Sequence, residues 1–137
     1  MGLNVQEKTM SYYFNKTVRM LFIEAITRVT EELKKEGFGI LTEIDVMETL
    51  KKKLNVDFRP YKILGTCNPP FAYQALQAED KIGLMLPCNV IVQELSPGVV
   101  EVAAIDPASA MQGIGNPGLS KIAAQVREKL RKVVASI

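Results

Sequence analysis

The chain has 137 residues, 47% of them hydrophobic and 23% charged, with a formal net charge of +2. This composition is that of an ordinary globular domain and excludes an intrinsically disordered chain. The near balance of 17 basic and 15 acidic residues argues against nucleic-acid binding. The length predicts a single domain over residues 1–137, in which residues 1–8 form an N-terminal extension.

The N-terminal segment and the hydropathy pattern predict a cytoplasmic protein. The first ten residues, MGLNVQEKTM, lack the apolar stretch of a signal peptide. Gln6 stands where the myristoylation pattern requires Ser or Thr. No run of about 18 apolar residues is present, so we expect no membrane contact. Two cysteines do not make a disulfide framework, and in the cytoplasm both thiols would be reduced.

The first predicted elements are a short strand and a long helix. Residues 10–14, MSYYF, form the strand, and Thr17 can cap the helix that follows. Gly37 supplies the end of this helix. The apolar positions repeat with the period of one helical stripe: Val18, Leu21, Phe22, Ala25, Ile26, Val29 and Leu33.

A strand over residues 38–44 and a short helix come next. Asp45 and Glu48 resemble a capping box with Asp in place of Ser or Thr. The three lysines at 51–53 predict a solvated helix face, the alternative being a phosphate-binding patch. The short helix is expected to bury four apolar side chains: Val46, Met47, Leu50 and Leu54.

The middle of the chain predicts a strand followed by another short helix. Residues 61–67, YKILGTC, form the strand. Asn68 is a natural N-cap, and Pro69 suits the first helical position, where no N–H is needed. A short helix is therefore predicted over residues 69–77.

The next two strands form a predicted β-hairpin. Residues 88–95 alternate in character, with Cys88 and two valines on one face. A Ser-Pro-Gly turn at 96–98 leads to the returning strand at 99–105. Asp106, followed by proline, ends the hairpin.

The last helix has the cleanest apolar period in the chain. Asn116 and Pro117 repeat the arrangement of a cap followed by proline. The stripe that follows predicts a core-facing helix: Leu119, Ile122, Ala123, Val126, Leu130, Val133 and Val134.

Together these elements predict a two-layer α+β fold. Two long helices lie on one face of a mostly antiparallel sheet of about five strands, with short helical insertions. The other sheet face is expected to carry Leu41, Leu64 and Ile91. Because such apolar surface is usually covered, we expect a homodimer.

Three segments resemble the family of domains of unknown function named DUF302. They are LGTCNPPFAYQAL, GLMLPCNVIVQE and the later IDP, which match that family's Gly-x-Cys-Asn-Pro, Leu-Pro-Cys-Asn-Val and Asp-Pro segments. The resemblance covers roughly residues 10–135. It implies a dimeric α+β fold with an antiparallel sheet and two helices, and it brings no function.

The two Cys-Asn pairs give the candidate site. Cys67 ends one strand and Cys88 begins the next, so the two thiols meet at one sheet edge if these strands are antiparallel neighbours. We expect the sulfur atoms to lie within about 7 Å of each other, a distance that allows thiol chemistry. The candidate residues are Cys67, Asn68, Pro69, Cys88, Asn89 and Asp106.

Three roles are open for these cysteines. They can pack as small hydrophobic side chains, form the wall of a small-molecule cleft, or act in thiol redox or soft-metal chemistry. For the last role the metal would be zinc or copper(I), and the ligand set would be incomplete with two cysteines. The positive end of the helix dipole at Asn68 would lower the pKa of the Cys67 thiol.

Histidine is missing from the sequence, so a Ser-His-Asp or Cys-His mechanism within one chain is excluded. This absence argues against an enzyme, and no cofactor is predicted. We therefore expect a non-catalytic, homo-oligomeric domain that binds an unknown small molecule. The alternative is a redox or metal-handling protein that uses Cys67 and Cys88.

Overall fold

The computed structural model describes residues 11–137. The strands are β1 (Tyr13–Arg19), β2 (Gly39–Asp45), β3 (Tyr61–Cys67), β4 (Cys88–Ser96) and β5 (Val99–Ile105). The helices are α1 (Phe22–Lys35), α2 (Val46–Leu54), α3 (Pro69–Ala78), α4 (Pro107–Ala110) and α5 (Pro117–Ala135), with 3₁₀ turns at Asp80–Met85 and Gln112–Ile114. The extension predicted for residues 1–8 lies outside the described residues. None of the helices described has the length and apolar character that a membrane span requires.

The five strands form one antiparallel sheet in the order β1-β5-β4-β3-β2. Side chains alternate between its two faces, and the buried set packs against α1 and α5. In the central strands this set is Val90, Val92, Val100 and Val102. The other side of the sheet, which we name the open face, carries the alternate residues. The predicted α+β fold is confirmed.

β1 extends further along the chain than the sequence pattern indicates. Thr17 and Val18 both pair with β5, so the prediction that Thr17 caps a helix is wrong. The helix starts later, at Phe22, where the carboxylate of Glu24 accepts a hydrogen bond from the Leu21 N–H at 3.1 Å. The apolar spacing around Val18 suggests a helix, but Val18 lies in a strand because β1 pairs with the distant strand β5.

Short-range signals at three helix ends are confirmed. Gly37 has a φ of +87° just after α1, a conformation that glycine adopts at little cost. The Asp45 carboxylate accepts a hydrogen bond from the Glu48 N–H at 2.9 Å. The Asn116 Oδ1 accepts one from the Leu119 N–H at 3.2 Å, at the start of α5. The predicted stripe of α5 packs into the hydrophobic core.

Two predictions about burial are wrong. No side chain of α2 is buried, and Met47 and Leu54 are 39% and 66% exposed, because α2 lies beside β2 and β3 at the edge of the sheet. Leu64 is fully buried in the core and supplies no surface on the open face. Leu41 is exposed, and Ile91 is half-buried.

Candidate functional site

A cavity of about 310 Å³ lies where β3 ends and β4 begins. It reaches the surface beside Leu41 and Leu76, which are 65% and 43% exposed. Most of its wall is apolar, and four residues with polar side-chain atoms belong to it. The lining residues are Phe38, Leu41, Thr66, Cys67, Asn68, Phe71, Ala72, Ala75, Leu76, Leu86, Pro87, Cys88, Pro107, Met111, Leu119, Ile122, Ala123 and Val126.

Small side chains leave this space open where α3 packs against α5. Ala72 and Ala75 line the cavity from α3, and Ala123 lines it from α5. Protein interiors are otherwise packed to the density of organic crystals. The sequence pattern predicted Ala123 as a core residue of the last stripe, and it gave no signal for the distant Phe71 and Met111.

Asn68 connects the start of α3 to the end of α1. Its side chain is buried, and Nδ2 donates a hydrogen bond to the Glu36 carbonyl oxygen at 3.1 Å. Asn68 occupies the N-cap position of α3, but its side chain makes no capping hydrogen bond. The predicted capping hydrogen bond of this side chain is therefore absent, and that prediction is wrong.

The two cysteines both line the cavity, although they are not cross-strand partners. β3 and β4 are antiparallel neighbours, and Cys88 pairs with Thr66. Cys67 is one residue further along β3, where strand alternation assigns it to the open face. The cavity includes both residues because it lies at the end of the sheet. The sulfur separation of about 7 Å stays a prediction.

The thiol of Cys88 is held in its protonated form. Burial raises its pKa from the ordinary value of 9.0 to about 11, and the nearby negative charge of a Cys67 thiolate contributes further. A thiolate is the form that attacks electrophiles and binds soft metal ions. Cys88 is therefore a poor nucleophile at neutral pH and behaves as a small, weakly polar part of the cavity wall.

The raised pKa predicts a pH dependence of stability that Cys88 causes. The unfolded chain loses this proton near pH 9, whereas the folded protein keeps it until about pH 11. The contribution is complete below pH 9 and is lost as the pH rises toward 11, by about 2 kcal/mol at about pH 10.5. Urea unfolding at about pH 8 and 10.5 should show that loss in the wild type and not in Cys88→Ala. An equal loss in both proteins would contradict the assignment.

The other candidate residues lie away from the cavity wall. Asn89 is exposed and borders a depression on the open face. Pro69 occupies the first turn of α3, as expected. The Asp106 carboxylate accepts a hydrogen bond from the Ala108 N–H at 3.0 Å and pairs with Arg127 Nε at 3.2 Å. Asp106 thus stabilises the turn after β5, and neither it nor Asn89 lines the cavity that contains the two cysteines.

A metal centre has few ligands to draw on here. Within residues 11–137, no group of three or more His, Cys, Asp or Glu side chains is arranged to hold a metal ion. Cys67 and Cys88 are both free cysteines. The described residues instead form an apolar cavity that opens to the surface and carries a few hydrogen-bonding groups.

Comparisons with known proteins agree with the resemblance of the Cys-Asn segments. The model of the domain of unknown function DUF302 matches residues 14–137. The crystal structure of an uncharacterized conserved DUF302 protein from Bacillus stearothermophilus is similar to this chain, with 31% sequence identity and a TM-score of 0.82. The match covers 90% of this chain and 95% of that chain. None of the curated proteins matches. The chain belongs to the DUF302 family of domains of unknown function.

Proposed function

We propose that this protein is a non-catalytic domain that binds a small, mainly apolar molecule in the cavity between α3, α5 and the sheet end. The observation that carries this proposal is the cavity itself, whose volume of about 310 Å³ falls in the range of small-molecule sites. Apolar walls with a few polar groups are typical of such sites. Burial of apolar ligand surface would supply the affinity.

The neutral probe N-phenyl-1-naphthylamine, whose fluorescence rises in apolar surroundings, tests this proposal. We expect saturable binding of one probe per chain. Ala72→Phe should weaken binding at least tenfold, because the new ring occupies the cavity that Ala72 lines. Gln74→Phe is the matched control, since Gln74 is exposed on the same helix. Leu76→Trp, at the exposed cavity mouth, serves if Ala72→Phe fails to fold. Absent binding, or binding unchanged in the filled cavity, would overturn the proposal.

The thiol alternative receives less support from the described residues. Redox or zinc and copper(I) chemistry requires a thiolate, and the pKa of Cys88 is raised to about 11.

The free state of both cysteines supports the cytoplasmic location expected from the sequence.

We also propose that the protein is a homodimer joined through the open face of the sheet. A depression of about 430 Å³ on this face has the polar residues Asn89, Gln93 and Glu101 in its wall. It also has aromatic and aliphatic side chains, of which the aromatic ones are enriched at interfaces: Tyr12, Tyr13, Tyr61, Ile91 and Ile105. Sedimentation at micromolar concentration should give twice the chain mass of 15.2 kDa. Ile91→Lys should give a folded monomer. A monomeric wild type would remove this proposal.

A further inference from the structure

The amide of Asn68 has a fixed orientation in the cavity wall. Its side chain is 8% exposed, and Nδ2 donates to the Glu36 carbonyl oxygen at 3.1 Å. A carbonyl oxygen only accepts hydrogen bonds, so the nitrogen of the amide must face Glu36. The acceptor Oδ1 therefore points in the other direction, away from the end of α1.

Within residues 11–137, the Oδ1 atom of Asn68 has no hydrogen-bond donor among the side chains or the backbone. An N-cap side chain usually accepts from the second or third N–H of its helix. The second residue of α3 is Pro70, which has no N–H, and the Asn68 side chain makes no capping hydrogen bond to the third. Unlike Asn15 Oδ1, this oxygen is not fully enclosed by protein atoms. It can therefore accept a hydrogen bond from a small molecule that enters the cavity beside it.

Thr66 differs from Asn68 in this respect. Its hydroxyl donates to the Cys88 carbonyl oxygen at 2.9 Å, so its polar atom already has a partner in the protein. The Cys67 and Cys88 sulfurs are weak hydrogen-bonding groups. Among the side-chain oxygens of the cavity wall that the structure describes, Asn68 Oδ1 is the one without a hydrogen-bond partner in the protein.

Charge limits the class of ligand further. No charged side chain belongs to the part of the cavity wall that the structure describes. A charged ligand would lose its hydration without gaining a partner of opposite sign. The two prolines also remove N–H groups that could hold an anion at the start of α3.

We propose that the ligand is a neutral, mainly apolar molecule with a hydroxyl or N–H group that donates a hydrogen bond to Asn68 Oδ1. This inference rests on the proposed binding function of the cavity and adds the chemical class of its ligand. Asn68 would then determine specificity, while the apolar wall supplies most of the affinity. Bonding to the ligand would give Asn68 Oδ1 the donor that it lacks within residues 11–137.

Two probes of nearly equal shape test this assignment. 1-Naphthol carries the donor, and 1-methylnaphthalene replaces it with a methyl group. Calorimetry or probe displacement gives the ratio of their affinities in the wild type and in Asn68→Ala. We expect the preference for 1-naphthol to fall about tenfold in the variant, as for the loss of one hydrogen bond. A purely structural role of Asn68 would weaken both probes equally and leave the ratio unchanged.

The outcomes separate this inference from the proposed function. If neither probe binds to the wild type, the binding function fails, and the inference fails with it. If both bind and the ratio is the same in Asn68→Ala, the cavity binds ligands but Oδ1 does not select them. If Asn68→Ala does not fold, NMR of the wild type decides. The Asn68 ¹³Cγ resonance should shift with 1-naphthol and not with 1-methylnaphthalene, and equal shifts overturn the inference.

Discussion

Leu130→Asp is expected to destabilise the domain by about 5 kcal/mol, which is enough to unfold a marginally stable protein. Leu130 has no exposed surface and lies in the core between α5, α1 and the sheet. A carboxylate at this position would lose its hydration without gaining a partner, or would have to bind a proton to stay buried. The substitution also removes the apolar contacts of the leucine.

Urea unfolding monitored by circular dichroism measures this effect. Gln125→Asp is the matched control, because it introduces the same side chain at an exposed position of α5 and should cost less than about 1 kcal/mol. If Leu130→Asp is not obtained in folded form, Leu130→Ala should cost about 2–5 kcal/mol. If the Leu130→Asp protein is as stable as the control, the apolar stripe of α5 does not form part of the hydrophobic core.

Gly65→Ala is expected to destabilise the protein by about 1–3 kcal/mol, although it adds a single methyl group. Gly65 is buried in β3. A Cβ atom at this position would overlap Thr42 Oγ1 and lie 2.8 Å from Pro87 Cγ. Thr42 would have to leave its side-chain rotamer, and the Pro87 ring has little freedom to move without a shift of the segment before β4.

Gly39→Ala provides the control for Gly65→Ala. Gly39 occupies the same face of the sheet in the neighbouring strand β2, and no heavy atom lies within 4 Å of the Cβ position there. The stability of the Gly39→Ala protein should equal that of the wild type or be slightly higher. Adding Thr42→Ala to Gly65→Ala should restore part of the lost stability, since it removes one of the two overlaps. Equal melting temperatures for the two glycine variants would contradict this packing.

Elements that depend on neighbouring residues were predictable from the sequence. The strand over residues 61–67 coincides with β3, and the cap at Asn116 and the stripe of α5 are present. The hairpin of β4 and β5 forms around the predicted turn. In each case the signal is a turn residue, a cap or an apolar period that acts over a few residues.

Elements that depend on distant residues were not predictable in the same way. Val18 fits a helical stripe, yet it lies in β1 because that strand pairs with β5. The apolar positions of α2 suggested burial, but burial requires a second layer, and α2 lies at the sheet edge. A periodic pattern specifies which side of a helix is apolar and does not specify what covers it.

The sequence by itself determined the family, the α+β class and the position of two Cys-Asn pairs at adjacent strand ends. Tertiary structure decided where the side chains of those pairs lie. It placed Cys67, Asn68 and Cys88 on one cavity with side chains from α3 and α5, whereas Asn89 borders a different depression, on the open face. It also directed the Asn68 amide to Glu36. A cavity is formed by residues far apart in the chain, so its volume and its unpaired acceptor arise only when the helices pack on the sheet.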